Sequence, residues 1–171
     1  LAIVLLLNFS CTDWLDVKPV DRMSEDQLYS TEAGFRQALN GIYVELNHAD
    51  LYGDELLVNT VEILAQRYKF SSMGTLTNQY HLAEFDYTTD YAKKCGSRIW
   101  EKAYALIANV NKLLKNADSH KDLFTGDSYD LITGEAYALR AFLHFDLLRL
   151  FGPVYKTHKE DKSICYNTQF S

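Results

Sequence analysis

The sequence predicts an all-α protein with a single core. Its 171 residues are enough to bury a core, and apolar and charged residues, at 47% and 23%, occur in proportions typical of globular proteins. Only two prolines are present, and long stretches repeat apolar residues at three- and four-residue steps. These features favour helices over the short, turn-separated strands of a sandwich or barrel.

The strongest helical pattern runs from residue 129 to residue 151. Its helically spaced apolar positions are Ile132, Ala136, Leu139, Leu143, Leu147 and Leu150. Aromatic and leucine side chains fill most of the remaining surface, so we expect this core helix to be buried on most sides. Gly152-Pro153 should end it, because glycine suits the left-handed position after a helix and proline cannot continue one.

A second long helix is predicted from Thr89-Asp90 to about Asn116. The residues that share one of its faces are Ile99, Trp100, Ala103, Tyr104, Ile107, Asn111 and Leu114. A buried amide needs hydrogen-bond partners, so we expect Asn111 to hold two helices in register. A polar segment, 117–128, joins the two long helices, and such a pair resembles a tetratricopeptide-type hairpin.

Shorter helices are predicted nearer the N-terminus. Ser24 and Gln27 have the spacing of a capping box, and Thr31 is a suitable N-cap for the next helix. The apolar face of that helix comprises Phe35, Ala38, Leu39, Ile42, Tyr43 and Leu46. Gly34 and Gly41 weaken it by about 1 kcal/mol each, and we interpret them as points of close approach by another helix.

Two further segments follow this helix. Residues 50–54 are typical of a turn, with acidic residues on either side of a Leu-Tyr-Gly sequence. The pattern from Glu55 to Gln66 then predicts a short helix, with its apolar face formed by Leu56, Leu57, Thr60, Val61 and Leu64.

The N-terminal residues resemble a secretory signal that ends in a lipoprotein processing site. Residues 1–7 are an apolar run, too short for a bilayer, which needs about 20 such residues, but suited to the middle of a signal peptide. Cys11 follows a small residue, and its lipidation would anchor the protein to a membrane. The alternative is a buried strand that ends in a free cysteine. We assign residues 1–10 to a partial signal peptide and 11–23 to a lipid-anchored tether.

The stretch from residue 68 to residue 87 has no clean period and mixes aromatic side chains with hydroxyls and amides. A sugar ring stacks its apolar C–H face on an aromatic ring, while its hydroxyls take hydrogen bonds from polar side chains. The candidate ligand-binding residues are Tyr68, Phe70, Asn78, Tyr80 and His81. The alternative is a surface loop whose aromatic residues pack back onto the core.

Several other chemistries lack their sequence signals. Cys11, Cys95 and Cys165 have no C-x-x-C spacing, so no metal site is predicted. We interpret Cys95 and Cys165 as unpaired thiols, with a disulfide in an oxidising compartment as the alternative. No H-E-x-x-H, G-x-S-x-G or glycine-rich phosphate loop is present, so we predict neither an enzyme nor a cofactor. A net charge of −6 without a basic cluster argues against nucleic acid.

Four segments, in the same order along the chain, resemble the SusD/RagB family of outer-membrane lipoproteins of Bacteroidetes. They are Leu15-Asp16-Val17-Lys18-Pro19 after Cys11, Ala38-Leu39-Asn40-Gly41-Ile42-Tyr43, the spaced residues Trp100, Tyr104, Ile107, Asn111 and Leu114, and the long helix with Gly134-Glu135-Ala136, Leu139-Arg140-Ala141-Phe142 and Phe151-Gly152-Pro153-Val154. The resemblance implies an all-α, tetratricopeptide-like scaffold with an extended N-terminal tether. Residues 24–171 would be the N-terminal part of a longer helical domain.

The resemblance also implies a function. The protein would be a surface-exposed, lipid-anchored protein of the outer membrane that captures an oligosaccharide and delivers it to a TonB-dependent, SusC-like transporter. In the family's starch-binding archetype the region between these helices belongs to the glycan-facing surface, which supports the sugar interpretation of residues 68–87. The alternative function is a tetratricopeptide-like scaffold that binds a protein partner and no glycan.

Overall fold

The structure, a computed structural model, describes residues 24–71 and 74–170 and confirms the all-α prediction. The helices in this part of the chain are α1 (Glu25–Leu28), α2 (Glu32–Leu46), α3 (Thr60–Leu64), α4 (Thr77–Ala83), α5 (Asp90–Ser119), α6 (Ser128–Phe151) and α7 (Tyr155–His158), and no strand occurs among the described residues. The predicted signal peptide, the tether and Cys11 lie outside the described residues. None of the described helices is long and apolar enough to cross a membrane.

The two predicted long helices, α5 and α6, form a hairpin whose contact face is the main core. The buried residues of α5 and α6 in this core are Ile99, Ala103, Leu106, Ile107, Val110, Leu113, Leu114, Ala117, Ile132, Ala136, Leu139, Leu143 and Leu147. Burial of each leucine or isoleucine contributes about 1.5–3 kcal/mol. Since all the predicted apolar positions of α6 except Leu150 are fully buried here, the helical periodicity identified the core face correctly.

Helix α2 packs across this hairpin and begins as predicted. The Thr31 side chain accepts a hydrogen bond from Gly34 N at 3.2 Å, and the capping box of Ser24 and Gln27 starts α1. Phe35 is buried, with its ring centroid 4.8 Å from that of Phe124. The two predicted close-approach glycines differ. A Cβ on Gly34 would lie 1.7 Å from Leu28 O in α1, whereas a Cβ on Gly41 would meet nothing within 4 Å.

An acidic side chain ties the start of α2 to the α5–α6 loop. Glu32 Oε2 accepts hydrogen bonds from Thr125 N at 3.0 Å and from the Thr125 hydroxyl at 2.8 Å. Hydrogen bonds from Ser128, Thr125 and Arg36 lower the pKa of Glu32 to about 2. The carboxylate is therefore charged at neutral pH, and it supplies one polar link between α2 and the hairpin.

The predicted helix from Glu55 to Gln66 is wrong over its first half. Residues 51–58 form successive turns, and only Thr60–Leu64 is helical. The physical reason is the Glu55 carboxylate, which is 1% exposed and is drawn inward to ion-pair with Arg98 and to accept a hydrogen bond from Thr60 at 2.5 Å. Periodicity along the chain does not reveal a partner that is 43 residues away in sequence.

The region without a clean period contains a two-turn helix, α4, which sequence reasoning missed. Helices α3 and α4 pack together around a small second cluster made by Ile63, Leu82, Ala83 and Ala92, with Leu64, Phe70 and Tyr91 against it. With so few apolar residues this unit depends on polar ties. The Gln66 side chain, for example, donates to Ala83 O at 2.7 Å.

The outer face of α6 is exposed within the described part of the chain, contrary to prediction. We define it by its exposed large apolar residues, Leu131, Tyr137, Phe142, Phe145 and Leu148.

The C-terminal end of helix α6 also differs from the prediction, since Gly152 has φ −77° and ψ 158° and is not left-handed. A Cβ there would lie 2.5 Å from Leu148 O, so the close approach of the chain to α6 explains the glycine.

The tail segment, residues 164–170, crosses α5 and α6 and is held mainly through its backbone. Tyr104 donates to Cys165 O at 2.7 Å, Arg140 Nη1 donates to Thr168 O at 2.9 Å, and Asn167 N donates to His144 Nε2 at 3.2 Å. The predicted role of Asn111 in linking two helices is confirmed, and Asn111 also binds the tail segment. It accepts from Arg140 of α6 at 2.8 Å and donates to Asn167 O at 3.2 Å.

The two glycines of α2 give a matched test of this packing. We expect Gly34→Ala to destabilise the protein by about 1–3 kcal/mol, because the new methyl group overlaps the backbone of α1. Gly41→Ala should stabilise it by about 0.5–1 kcal/mol, because alanine restricts the unfolded chain and meets no neighbour. Urea denaturation of both variants measures these differences, and equal effects would contradict the assigned contact between α1 and α2.

Candidate functional site

The five candidate residues all lie on the α3–α4 unit but do not form one continuous cluster. Tyr68 and Phe70 are neighbours before α4, with ring centroids 6.0 Å apart at 72°. Tyr80 and His81 lie on α4, with centroids 5.7 Å apart at 70°. Asn78 is exposed one turn away from His81. Phe70 packs against the second cluster, so its ring supports the unit from inside.

Tyr68 is the candidate best suited to stacking. Its hydroxyl donates to Val58 O at 2.8 Å, which fixes the ring at one end, while 45% of the residue remains exposed. A ring held in this way loses little conformational freedom when a ligand stacks on it. Its hydroxyl is engaged, however, so the ring would contribute mainly its apolar face.

The polar candidates on α4 have a different character. Tyr80 and His81 are half-buried, and His81 Nδ1 lies 3.7 Å from the Asp86 carboxylate. Hydrogen bonds from the Thr88 side chain and backbone lower the pKa of Asp86, so its carboxylate faces His81 in the charged form. Asn78 and His81 therefore offer hydrogen-bonding groups on a surface that also carries aromatic rings.

Two exposed aromatics of the same stretch were not among the candidates. Phe85 has φ +59°, a left-handed conformation uncommon for a residue with a side chain, and its ring is exposed. Tyr87 is exposed at the mouth of a cavity. The only sequence signal for either residue was aromatic composition, which does not distinguish a presented ring from a buried one.

The cavity has a volume of about 520 Å³ and lies between α3, α4, α5 and the C-terminal end of α6. We call it the α5 cavity because three parallel rows of α5 residues line it: Cys95 and Ile99 on the floor, Ala92, Gly96 and Trp100 along the middle, and Lys93, Ser97 and Glu101 at the rim. Thr60, Leu64, Leu82, Tyr87, Leu150 and Phe151 complete the lining. The space exists because Ala92 and Gly96 add almost no side-chain volume to the middle row.

A polar network lies beside the α5 cavity and reaches its lining through Thr60. Thr60 donates to Glu55, Glu55 pairs with Arg98, and Arg98 Nε lies 2.8 Å from Asp50 Oδ1. Glu55 is buried but the Arg98 side chain is 38% exposed, so the network links the 50–60 loop to α5 with less free energy than a fully buried pair would involve. It also engages the Thr60 hydroxyl, which lines the cavity.

A protein-family model described as "Starch-binding associating with outer membrane" matches residues 13–169, which is most of the chain. The chain belongs to the SusD-like family. The resemblance stated from the sequence motifs is thereby confirmed, and it extends through the tail segment that crosses the α5–α6 hairpin.

Two curated SusD-like relatives come from Formosa agariphila. The chain is 28% identical to SusD-like protein P2 over 153 residues, which is 89% of this chain and 29% of that relative. It is 27% identical to SusD-like protein P25 over 148 residues, 84% of this chain and 28% of that relative. This SusD-like chain therefore spans less than a third of the length of either relative. No solved structure matches it.

The cysteines of the described SusD-like region are unpaired. Cys95 is buried in the wall of the α5 cavity, and Cys165 is exposed in the tail segment. Burial, followed by the Glu55 carboxylate, raises the pKa of the Cys95 thiol. Within the described ranges no group of three or more His, Cys, Asp or Glu side chains is arranged to hold a metal ion.

The two thiols should differ sharply in reactivity. In a Cys11→Ser background we expect Cys165 to be alkylated at least about tenfold faster than Cys95 at pH 8, because Cys95 is buried and its raised pKa leaves less thiolate. Cys165→Ser should remove the fast reaction and Cys95→Ser should leave it. Two thiols that react only after reduction would instead indicate a disulfide.

Proposed function

We propose that this SusD-like protein captures an oligosaccharide at the cell surface and passes it to a TonB-dependent, SusC-like transporter in the outer membrane. A lipid on Cys11 would hold it there, and no bond of the ligand would be broken. The observation that carries the proposal is the family match over residues 13–169, together with the family description as starch-binding and outer-membrane-associated.

The α3–α4 unit supplies groups of the kind that such capture needs. The anchored ring of Tyr68 offers an exposed apolar face, and Asn78, Tyr80 and His81 carry amide, hydroxyl and imidazole groups. The apolar C–H face of a sugar on an aromatic ring contributes about 25 cal/mol per Å² of buried apolar surface, and each hydrogen bond adds about 0.5–1.5 kcal/mol net. Phe70 would act indirectly, by supporting Tyr68 from the second cluster.

Affinity electrophoresis of the full-length protein on a panel of polysaccharides tests this proposal. We expect at least one polysaccharide of the panel to retard the protein. The double variant Tyr68→Ala/Tyr80→Ala should bind that polysaccharide about tenfold more weakly, which corresponds to a loss of ~1.4 kcal/mol of binding free energy. Tyr155→Ala is the control, because Tyr155 is exposed on α7, outside the α3–α4 unit. Unchanged retardation of the double variant would remove the α3–α4 unit from the site, and no retardation on any glycan would contradict glycan capture.

A protein-interaction scaffold is the second candidate function, and the outer face of α6 favours it. Exposed apolar clusters on soluble proteins commonly mark interaction surfaces, and this one presents Phe142, Phe145 and Leu148 along a single helix. If the protein captures a glycan, the partner at this face would be the transporter. If it is a scaffold alone, the partner would be a different protein.

Variants of the outer face separate the two functions. Phe145→Glu should strongly weaken co-purification with a transporter barrel, because it replaces an aromatic contact with a carboxylate, and the neighbouring Arg149 already pairs with Asp146. Tyr155→Glu, an aromatic-to-acid change at a more exposed position on α7, should leave it intact. If the Phe145→Glu variant loses the transporter but is still retarded by the glycan, capture with delivery is supported. If it loses a protein partner and the wild-type protein binds no glycan, the scaffold function alone is supported.

A further inference from the structure

The α5 cavity has a polarity that does not suit a sugar. Its floor and inner walls are mostly aliphatic, formed by Leu64, Leu82, Ile99 and Leu150, with the Cys95 thiol beside Ile99 on the floor. The Thr60 hydroxyl there already donates to Glu55. A sugar hydroxyl placed at this depth would lose its bonds to water without replacement, at a cost of about 1–3 kcal/mol each.

The same cavity is too large to be a packing defect. Protein interiors leave few voids larger than a water molecule, and 520 Å³ falls within the range of about 300–1,000 Å³ that small-molecule sites occupy. Trp100 and Phe151 stand edge-to-face at one end, with ring centroids 5.2 Å apart at 87°. The two rings are in contact with each other and wall one end of the open space beside Gly96, which we call the slot and where a flat apolar group could lie.

The charged residues at the rim make the two ends of the slot electrostatically different. Lys93, Ser97 and Glu101 are successive residues of one i, i+4 row, so Lys93 and Glu101 lie about 12 Å apart along α5. Within the described ranges neither forms an ion pair. Lys93 is also in the first turn of α5, where the helix dipole adds to its attraction for an anion, while Glu101 repels one.

We propose that the α5 cavity binds a small aromatic carboxylate, with the ring in the slot beside Gly96, against Trp100 and Phe151, and the carboxylate at Lys93. Ser97, between the two charged residues, can donate a hydrogen bond to the same carboxylate. Asp86 competes for the Lys93 charge from outside the cavity, but its carboxylate is already held by Thr88. The proposed site is separate from the sugar-binding surface of the α3–α4 unit, so either can fail without the other.

Gly96 allows a direct test. A Cβ at this position would lie 3.6 Å from Phe151 Cε1, an ordinary contact, and would meet no other atom within 4 Å. The larger side chain of leucine would extend from there into the slot. Gly41→Leu is the matched control, because it is the same exchange at an exposed helical position with no neighbour within 4 Å. Both changes also remove a helix-weakening glycine.

Equilibrium dialysis of the full-length protein with 2-naphthoate measures the site. We expect one molecule per chain in the wild type and in Gly41→Leu, and binding at least about tenfold weaker in Gly96→Leu. If Gly96→Leu does not fold, as judged by circular dichroism, Ser97→Phe provides the same test from the exposed rim. Equal binding by the filled and control variants overturns the proposal and directs attention to the outer face of α6.

The charge is tested with 2-naphthol, which has the same ring and no carboxylate. Wild-type protein should bind 2-naphthoate several-fold more tightly than 2-naphthol, and Lys93→Met should remove that preference. Equal affinities in the wild type overturn the assigned carboxylate. Absence of saturable binding of both probes overturns the site as a whole, and would indicate that a side chain from elsewhere fills the slot.

Discussion

The buried seam between α5 and α6 is the constraint on which the rest of the structure depends. Its aliphatic residues supply most of the described core, and Asn111 is one of the buried polar residues set among them. A buried amide left unsatisfied costs about 1–3 kcal/mol, so Arg140 and the tail segment must both be in place for the seam to be complete. One side chain therefore sets the register of two helices and of an extended segment.

The α3–α4 unit is tied to this seam more weakly. Its own apolar cluster is small, and a polar link to α5 comes from the Glu55–Arg98 pair. The hydrogen bond from Gln66 to Ala83 O joins α3 to α4 within the unit. Regions with few buried apolar contacts open locally at a lower free energy than the core does. The aromatic surface proposed for the ligand thus belongs to the α3–α4 unit, the more adaptable part of the structure, which packs against the more rigid α5–α6 hairpin.

Local signals in the sequence predicted the helices that begin at side-chain caps. Thr31 and Thr89 cap α2 and α5 through their hydroxyls, as their positions before the apolar repeats indicated. Helix α4 has no side-chain cap, which removes the strongest local signal, and its boundaries could not be predicted. Glu55 shows a second limit, because the partner that disrupts the predicted helix, Arg98, is distant in sequence and only the folded chain brings the two together.

The candidate site shows why aromatic composition is a weak guide to a sugar-binding surface. The sequence grouped Phe70 with Tyr68, yet one ring supports the small core and the other is presented at the surface. What a sugar needs besides a ring is a set of polar groups that are not already bonded within the protein, and that property is fixed only by tertiary structure. By this criterion the exposed Asn78 suits a hydroxyl-rich ligand. In the α5 cavity the Thr60 hydroxyl already donates to Glu55, so the slot beside Trp100 suits an apolar ligand group instead.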